Sequence, residues 1–310
     1  MINKEQIIKE LIRIAGPDRV AADEKMSGHT TFRIGGPADY FVTPRDMESL
    51  RGVLRFLREE KIPYFILGNG SNLLVSDEGY RGAVIRIGSG FDELRTEGVA
   101  VHAGAGLLLS QIAAAARDAR LSGMEFASGI PGTLGGAIVM NAGAYGGEMK
   151  DIIRSATVMT DDGGIRTIQG PDMEFGYRTS VVKTKGWIVL AADFLLSKGN
   201  RSIIDARMNE LKEARTSKQP LNYPSAGSTF KRPEGYFAGK LIMDSGLAGY
   251  SVGGAAVSEK HCGFVINRGG ATASDVYILI RRVREIVYAK YGVILEPEVR
   301  FVGNFPDLNG

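Results

Sequence analysis

The chain has 310 residues, 44% of them hydrophobic, and its 38 basic and 35 acidic side chains leave a formal net charge of +3. That length suits two domains with sizeable cores, and the lack of any long like-charge block excludes the electrostatic footprint of a nucleic-acid or membrane-surface binder. One cysteine, Cys262, rules out an internal disulfide and suits a reducing cytoplasm, while no apolar run approaches the roughly 20 residues of a bilayer span. The outlier is glycine: 41 residues, nearly twice the usual share of about 7%.

In chain order, Ile7, Ile8, Leu11, Ile12 and Ala15 recur at helical spacing among charges and predict an amphipathic first helix rather than a signal segment. Tyr40 to Val42 reads as a short strand. Asp46 to Glu60 reads as a helix with Met47, Leu50, Val53, Leu54 and Leu57 on one face. Strands are predicted at Tyr64 to Leu67, Ala83 to Ile87 and Val99 to Ala103, and an alanine-rich helix at Ser110 to Ala119, closed by Gly123. Ala156 to Thr160, the turn DDGG and Ile165 to Ile168 form a hairpin, followed by a strand at Trp187 to Leu196. A charged helix over Ser202 to Ala214 changes the composition and places a domain boundary near Asn200. Beyond it lie a strand at Phe264 to Asn267, a long helix from Ser274 to Tyr291 capped by Gly292, and a last strand, VILEPEVRFV. Short strands and helices mixed without regular βαβ alternation predict an α+β fold.

Three polar or glycine-rich features stand out. LGNGSNLLVSD follows a strand directly, and successive N–H groups in such a turn form an anion-binding concavity. SGIPGTLGGAIVMNAGAYGGE, Ser128 to Glu148, carries seven glycines and no charge before its final residue. An ordinary loop or a tight packing corner accounts for either segment alone. Together, about 60 residues apart, they suggest one large nucleotide cofactor gripped from two sides. The third feature is scattered: Tyr177 and Arg178 in FGYRTS, Ser228 in PSAGSTFKRP, and Glu298 and Arg300 in LEPEVRF. In the last of these, Glu296, Glu298 and Arg300 share one strand face, which is equally the pattern of a solvated surface with a weak ion pair. No metal-ligand spacing occurs.

Taken in order, TTFRIGG, LGNGSNLLVSD, SGIPGTLGGAIVMNAGAYGGE, FGYRTS, NYPSAGSTFKRP and LEPEVR resemble the UDP-N-acetylenolpyruvoylglucosamine reductase family, over nearly the whole chain from about Thr30 to Val302. The resemblance implies an FAD-binding domain of the vanillyl-alcohol oxidase type over residues 1–200, in two lobes (about 1–90 and 91–200). An α+β substrate-binding domain over 201–310 follows, its last strand returning to the active site. It implies bound FAD, NADPH as reductant, and reduction of the enolpyruvyl ether of a UDP-sugar to UDP-N-acetylmuramate for peptidoglycan. Cofactor contacts would come from Gly68, Asn69, Gly70, Ser71, Asn72 and Leu73, and from Ser128, Gly129, Gly132, Thr133, Gly135, Gly136, Ala137, Asn141, Gly143 and Ala144.

The resemblance further implies that Arg178 stabilises negative charge developing on the substrate carboxylate, that Glu298 assists, and that Ser228 protonates the α-carbon. Tyr177 and Lys218 would contact substrate, Lys218 as a point charge near the diphosphate. Arg232 stands where the longer form of the family has Asn, and the longer form's insertion with a clamping tyrosine is missing, so the chain is of the shorter type. His261 falls at a polar substrate contact of the family, although a packed or surface histidine explains it as well; Cys262 reads as a packing residue. Two alternatives stay open: another FAD oxidoreductase, such as a sugar or alcohol oxidase, and a non-catalytic nucleotide-sugar-binding protein. The expected partner is a small UDP-sugar, with no nucleic acid and no membrane. The oligomeric state is left open and is compatible with a monomer.

Overall fold

In the computed structural model, which describes residues 2–308, helix α1 (Lys4–Ala15) starts where Asn3 and Gln6 cap each other's backbone N–H groups. Strands β1 (Val20–Lys25) and β2 (Pro37–Val42) follow, then α2 (Met47–Glu59), opened by the same reciprocal device between Asp46 and Ser49. Next come β3 (Tyr64–Leu67), β4 (Leu73–Val75), β5 (Tyr80–Arg86), β6 (Leu94–Glu97) and β7 (Ala100–Gly104), then α3 (Leu109–Asp118) and β8 (Leu121–Ser122). The glycine-rich segment holds a short helix, α4 (Leu134–Val139), and a small hairpin, β9 (Gly143–Ala144) with β10 (Gly147–Glu148).

After them run β11 (Ile153–Met159), β12 (Ile165–Gln169), α5 (Val181–Lys185), β13 (Ile188–Leu195), β14 (Ser197–Lys198) and α6 (Arg201–Lys218). The last part contains α7 (Ala238–Asp244), β15 (Ser251–Val252), β16 (Ala255–Val257), β17 (Val265–Asn267), α8 (Ala273–Tyr291) and β18 (Arg300–Val302). The fold is α+β, as expected from the sequence.

The chain divides into two compact units. The first takes the residues up to Ala22, Tyr40–Asn69 and Gly82–Arg215. Its central sheet, in the order β12-β11-β13-β7-β6, is antiparallel throughout, with Ala156 opposite Ala192 and Ala192 opposite Ala103. Small residues at these crossings leave room for the helices, and Leu50, Leu54, Leu57, Leu109, Ile112 and Phe194 fill the core. A second sheet runs β1-β2-β5-β3, with β3 parallel to β5 and Tyr64 opposite Ala83.

The second unit takes Asp23–Asp39, Gly70–Arg81 and the chain from Thr216 onward. The composition shift near Asn200 thus marks the start of α6, most of which stays with the first unit. In the second unit the sheet β15-β16-β17 packs with α8 around Phe32, Leu74, Ile280, Val283 and Leu295. Helix α8 has two N-terminal devices. Thr272 and Asp275 cap each other's N–H groups, and the Asp77 carboxylate accepts from the Ala273 and Ser274 N–H groups at 2.7 and 2.9 Å.

The expected last strand is shorter than VILEPEVRFV. Only Arg300–Val302 forms a strand, parallel to β4. Pro297 has no N–H for a ladder, and the residues around it pair instead with the Thr229–Lys231 segment, through Lys231 N–H to Glu296 O and Glu298 N–H to Thr229 O, both 2.8 Å.

Candidate functional site

The loop between β3 and β4 is a run of free donors. Among the described residues, none of the backbone N–H groups of Gly68, Asn69, Gly70, Ser71 and Asn72 has a protein acceptor. Buried or half-buried N–H groups seldom stay unpaired, and a run that includes a left-handed residue, here Gly70 at φ +61°, is the geometry of an anion nest. Both glycines are also forced by the protein. A Cβ at Gly68 would overlap the Thr133 hydroxyl, and one at Gly70 would overlap the His29 carbonyl oxygen. Leu73 is buried in β4, so it has only backbone to offer a ligand.

Within the first unit the two glycine-rich segments meet. The Asn69 side chain donates to Pro131 O at 2.8 Å, close to the Gly68–Thr133 contact. The donors of α4 are divided: Leu134 N–H goes to Leu107 O and Gly135 N–H to Ala105 O, whereas Gly136 is exposed and a Cβ there would meet only the Thr133 hydroxyl, at 3.7 Å. Gly135 is therefore a packing glycine against Ala105, and Gly136 opens outward. Thr133 and Ala137 are buried, and the Ser128 hydroxyl is spent on Glu125 O. Gly143 and Ala144 form the β9 edge, where a Cβ at Gly143 would strike Glu148. The segment thus presents bare backbone, and a nest beside it suits a pyrophosphate; the residues fit FAD.

Asn141 differs from its neighbours. Its side chain is 1% exposed, and its amide is used inside the protein: Nδ2 donates to Glu148 Oε2 (2.9 Å) and Gly176 O (3.2 Å), and Oδ1 accepts from Lys150 N–H (3.0 Å). Any contact it makes with a cofactor falls to its backbone. Gly176 begins the turn that carries Tyr177 and Arg178, closed by paired hydrogen bonds between Gly176 and Thr179, with Arg178 left-handed at φ +59°. Tyr177 is 54% exposed, and the Arg178 guanidinium stands 5.0 Å from its ring centroid. Ser180, buried, closes the turn by capping α5 and donating to Val139 O of the glycine-rich segment at 3.0 Å.

The second unit joins three sequence motifs. Thr229 is fully buried, and its hydroxyl accepts from Val265 N–H while its carbonyl takes the Glu298 N–H. Ser228, just before it, is exposed, so Ser228 and Glu298 are held on adjacent, paired backbones. Asn72 grips the other side of Glu298: its Nδ2 donates to Glu298 O at 3.1 Å, and its carbonyl accepts Arg300 N–H. Lys218 ends α6 at the surface. The Arg232 guanidinium stacks 4.1 Å above the exposed Phe237 ring. His261 is a packed residue: burial pushes its pKa down, Nδ1 accepts Gly263 N–H at 3.1 Å, and the ring meets Phe264 edge-on. Burial raises the Cys262 thiol above its ordinary pKa, as for a packing residue rather than a nucleophile.

Two residues escaped the sequence reading. Arg215, in the charged helix α6, lies with Nη1 only 2.9 Å from where a Gly129 Cβ would stand, and burial lowers its pKa against the opposing pull of Tyr145. Its signal was weak: one arginine among the many charges of that helix. Thr31 ties two loops of the second unit, its N–H donating to Gly70 O and its hydroxyl to Ser225 O. The pair of threonines in TTFRIGG was visible, but nothing local says which loop they serve.

An α+β chain with an anion nest and bare glycine backbone is of a class suited to a large nucleotide cofactor. Residues 38–169 match an FAD binding domain family, and residues 219–302 match the C-terminal domain of UDP-N-acetylenolpyruvoylglucosamine reductase. The UDP-N-acetylenolpyruvoylglucosamine reductase of Lachnoclostridium phytofermentans is 54% identical over 301 residues, covering 96% of this chain and 97% of its own length. That of Clostridioides difficile is 50% identical over 302 residues, covering 97% and 99%. The crystal structure of the Thermus caldophilus enzyme superposes with a TM-score of 0.81 at 38% identity, over 92% of this chain and 99% of that one. The chain belongs to the UDP-N-acetylenolpyruvoylglucosamine reductase family.

Proposed function

We propose that this chain is the FAD-dependent, NADPH-consuming reductase that converts the enolpyruvyl ether of UDP-N-acetylglucosamine enolpyruvate to UDP-N-acetylmuramate, a step of peptidoglycan synthesis. Family membership supports the activity and its cofactor. The observation that carries the reading at the level of residues is the backbone pairing that sets exposed Ser228 beside Glu298.

Bound FAD would supply hydride chemistry between NADPH and the carbon β to the substrate carboxylate. Residues 68–72, with their five unpartnered N–H groups, would hold the pyrophosphate; Gly129, Gly132, Gly136, Gly143 and Ala144 would give the cofactor a surface free of side-chain bulk. In that reduction, negative charge would develop on the substrate carboxylate. The Arg178 guanidinium, preset by its left-handed turn, supplies a fixed positive counterpart, and fixed charge is worth most where charge develops. Ser228 gives its hydroxyl proton to the α-carbon, with Glu298 alongside to order the reacting groups. Tyr177 and Lys218 contact the nucleotide-sugar, Lys218 as a mobile point charge. Dependence on NADPH, together with the single cysteine, supports a cytoplasmic location. Among the described residues no helix is long and apolar enough to cross a membrane.

The test is the visible spectrum of the purified, FAD-loaded protein under anaerobic conditions. NADPH is expected to bleach the flavin bands and the UDP-enolpyruvyl sugar alone to restore them, with UDP-N-acetylmuramate as product. Restoration by oxygen and not by the sugar would turn the reading toward an oxidase, and a protein that takes up no FAD would overturn it.

A further inference from the structure

Asn141 has a position and a set of partners that cofactor binding does not explain. It sits in the left-handed region at φ +42°, 1% exposed, inside a segment otherwise rich in glycine. A glycine would take that conformation without strain, so the side chain is kept for what it does. It reaches three places at once. Its carbonyl oxygen accepts Lys150 N–H at 3.0 Å, and its two amide hydrogens go to the Glu148 carboxylate at 2.9 Å and to Gly176 O at 3.2 Å.

Gly176 O is the point that matters. It is the first residue of the tight turn whose third residue is Arg178, a turn also held by the paired hydrogen bonds between Gly176 and Thr179, Lys183 Nζ on Arg178 O at 2.8 Å, and Ser180 on Val139 O. Arg178 pays for its own φ of +59°, an uncommon conformation for a side chain without a local amide, and such strain persists only where surroundings over-determine it. Glu148 is in turn fixed by Lys150 Nζ at 2.9 Å, and its N–H donates to the Asp151 carboxylate at 2.8 Å. The charges bearing on this carboxylate are those of Lys150 and Arg178. Lys150 above all, then Asn141 and Arg178, keep the Glu148 carboxyl below its ordinary pKa against the effect of burial. The ionised, hydrogen-bond-accepting form of Glu148 is therefore the favoured one.

We infer that Asn141, anchored by Glu148, is a positioning residue for Arg178: it clamps the Gly176 carbonyl and so fixes the turn that aims the guanidinium at the reacting carboxylate. The inference rests on the role given to Arg178 in the proposed function. Its consequence is selective. A guanidinium held loosely still binds an anion, but it loses the preorganisation that counts when charge develops, and a misplacement of about 1 Å can cost on the order of 100-fold in rate.

The experiment uses the FAD-loaded full-length protein and anaerobic stopped flow, which separates bleaching of the flavin by NADPH from its return on mixing with the UDP-enolpyruvyl sugar. Asn141→Asp keeps size and tolerance of the left-handed backbone, but turns the donor facing Gly176 O and Glu148 into an acceptor. It is expected to slow the return of the flavin about 10- to 100-fold and to leave bleaching by NADPH within about threefold. In an Arg178→Ala background the same substitution is expected to slow the return no further, because the residue acts through Arg178. Glu148→Ala, made at a half-exposed side chain, provides the same readout if Asn141→Asp fails to fold, with a smaller loss of about three- to tenfold. A loss in the Arg178→Ala background as large as in the wild type, or equal slowing of both half-reactions, would overturn the inference. If Arg178→Ala itself restores the flavin at the wild-type rate, the role assigned to Arg178 fails first, and that outcome is told apart by this single variant.

Discussion

The stretch from Ser128 to Glu148 and the stretch from Ser225 to Lys231 solve different problems. In the first, the groups left over for a ligand are backbone: Gly136 opens outward while Leu134, Ala137 and Ile138 anchor the short helix in the core. In the second, the group left over is a side chain, Ser228, mounted on a fully buried Thr229 whose hydroxyl and carbonyl are both committed to neighbouring backbone. A cofactor that is large, flat and anionic needs contour and N–H donors, which glycine gives. A proton transfer needs one oxygen at one place, which a rigid strand-like mount gives. In the proposed function, glycine marks where the cofactor binds, and a side chain mounted on a buried polar residue marks where the proton is delivered.

The sharpest way to break the comparison is to strip charge from the first unit without touching its backbone. Arg178→Ala is expected to cut the sugar-dependent half-reaction about 100- to 1000-fold, the range for loss of one fixed stabilising group; stopped flow that showed only a weaker sugar affinity would make Arg178 a binding residue. Gly136→Ala probes the opposite case. A Cβ there meets no close protein atom, and alanine is the better helix former by about 1 kcal/mol. The apoprotein is expected to melt at the same temperature or higher while FAD affinity falls at least about tenfold; unchanged affinity by flavin titration would show that Gly136 does not face the cofactor.

Structural polar residues of the second unit should behave differently again. Asp77→Ala removes a carboxylate that accepts two N–H groups at the start of α8, and the expected loss is about 1–2 kcal/mol of stability, read as a lower denaturation midpoint with turnover per bound flavin unchanged. The smallest effect is a pH dependence. Burial lowers the His261 pKa in the folded protein, so the unfolded chain binds the proton more readily, and stability is full above the ordinary histidine value of about 6.5 and declines as pH falls below it. Melting temperatures at pH 8 and pH 5.5 should differ less in His261→Gln than in the wild type. The carboxylates Asp46, Asp162 and Asp275, all held below their ordinary values by hydrogen bonds, lose their contribution only at lower pH.

How much of this was legible in the sequence follows the reach of each signal. Helices α1, α2 and α8 were visible because apolar spacing is a local signal, as is Gly292 at the end of α8. Helix α4 was not, being six residues long with two glycines among them. The last strand was overextended, because alternation of Glu296, Glu298 and Arg300 with apolar residues looks the same whether the partner is β4 or the Thr229–Lys231 segment. Segments Asp23–Asp39 and Gly70–Arg81, which lie in the second unit, carry no compositional mark of it; only long-range pairings such as Thr31 with Ser225, and Asn267 Nδ2 with Phe32 O, reveal their place. Arg215 was hidden among like residues, and nothing local showed the three partners that the Asn141 side chain has.

The central claim is that the backbone of one region binds the cofactor while the side chain of Ser228 carries the proton. The most direct test is Ser228→Ala, with FAD affinity by titration and both half-reactions by anaerobic stopped flow measured on the same preparation. The expected result is wild-type FAD affinity, wild-type bleaching by NADPH, and a return of the flavin on mixing with the UDP-enolpyruvyl sugar that is slower by about 100- to 10,000-fold, the range for loss of a positioned acid. A variant that restores its flavin at the wild-type rate and yields UDP-N-acetylmuramate would contradict it.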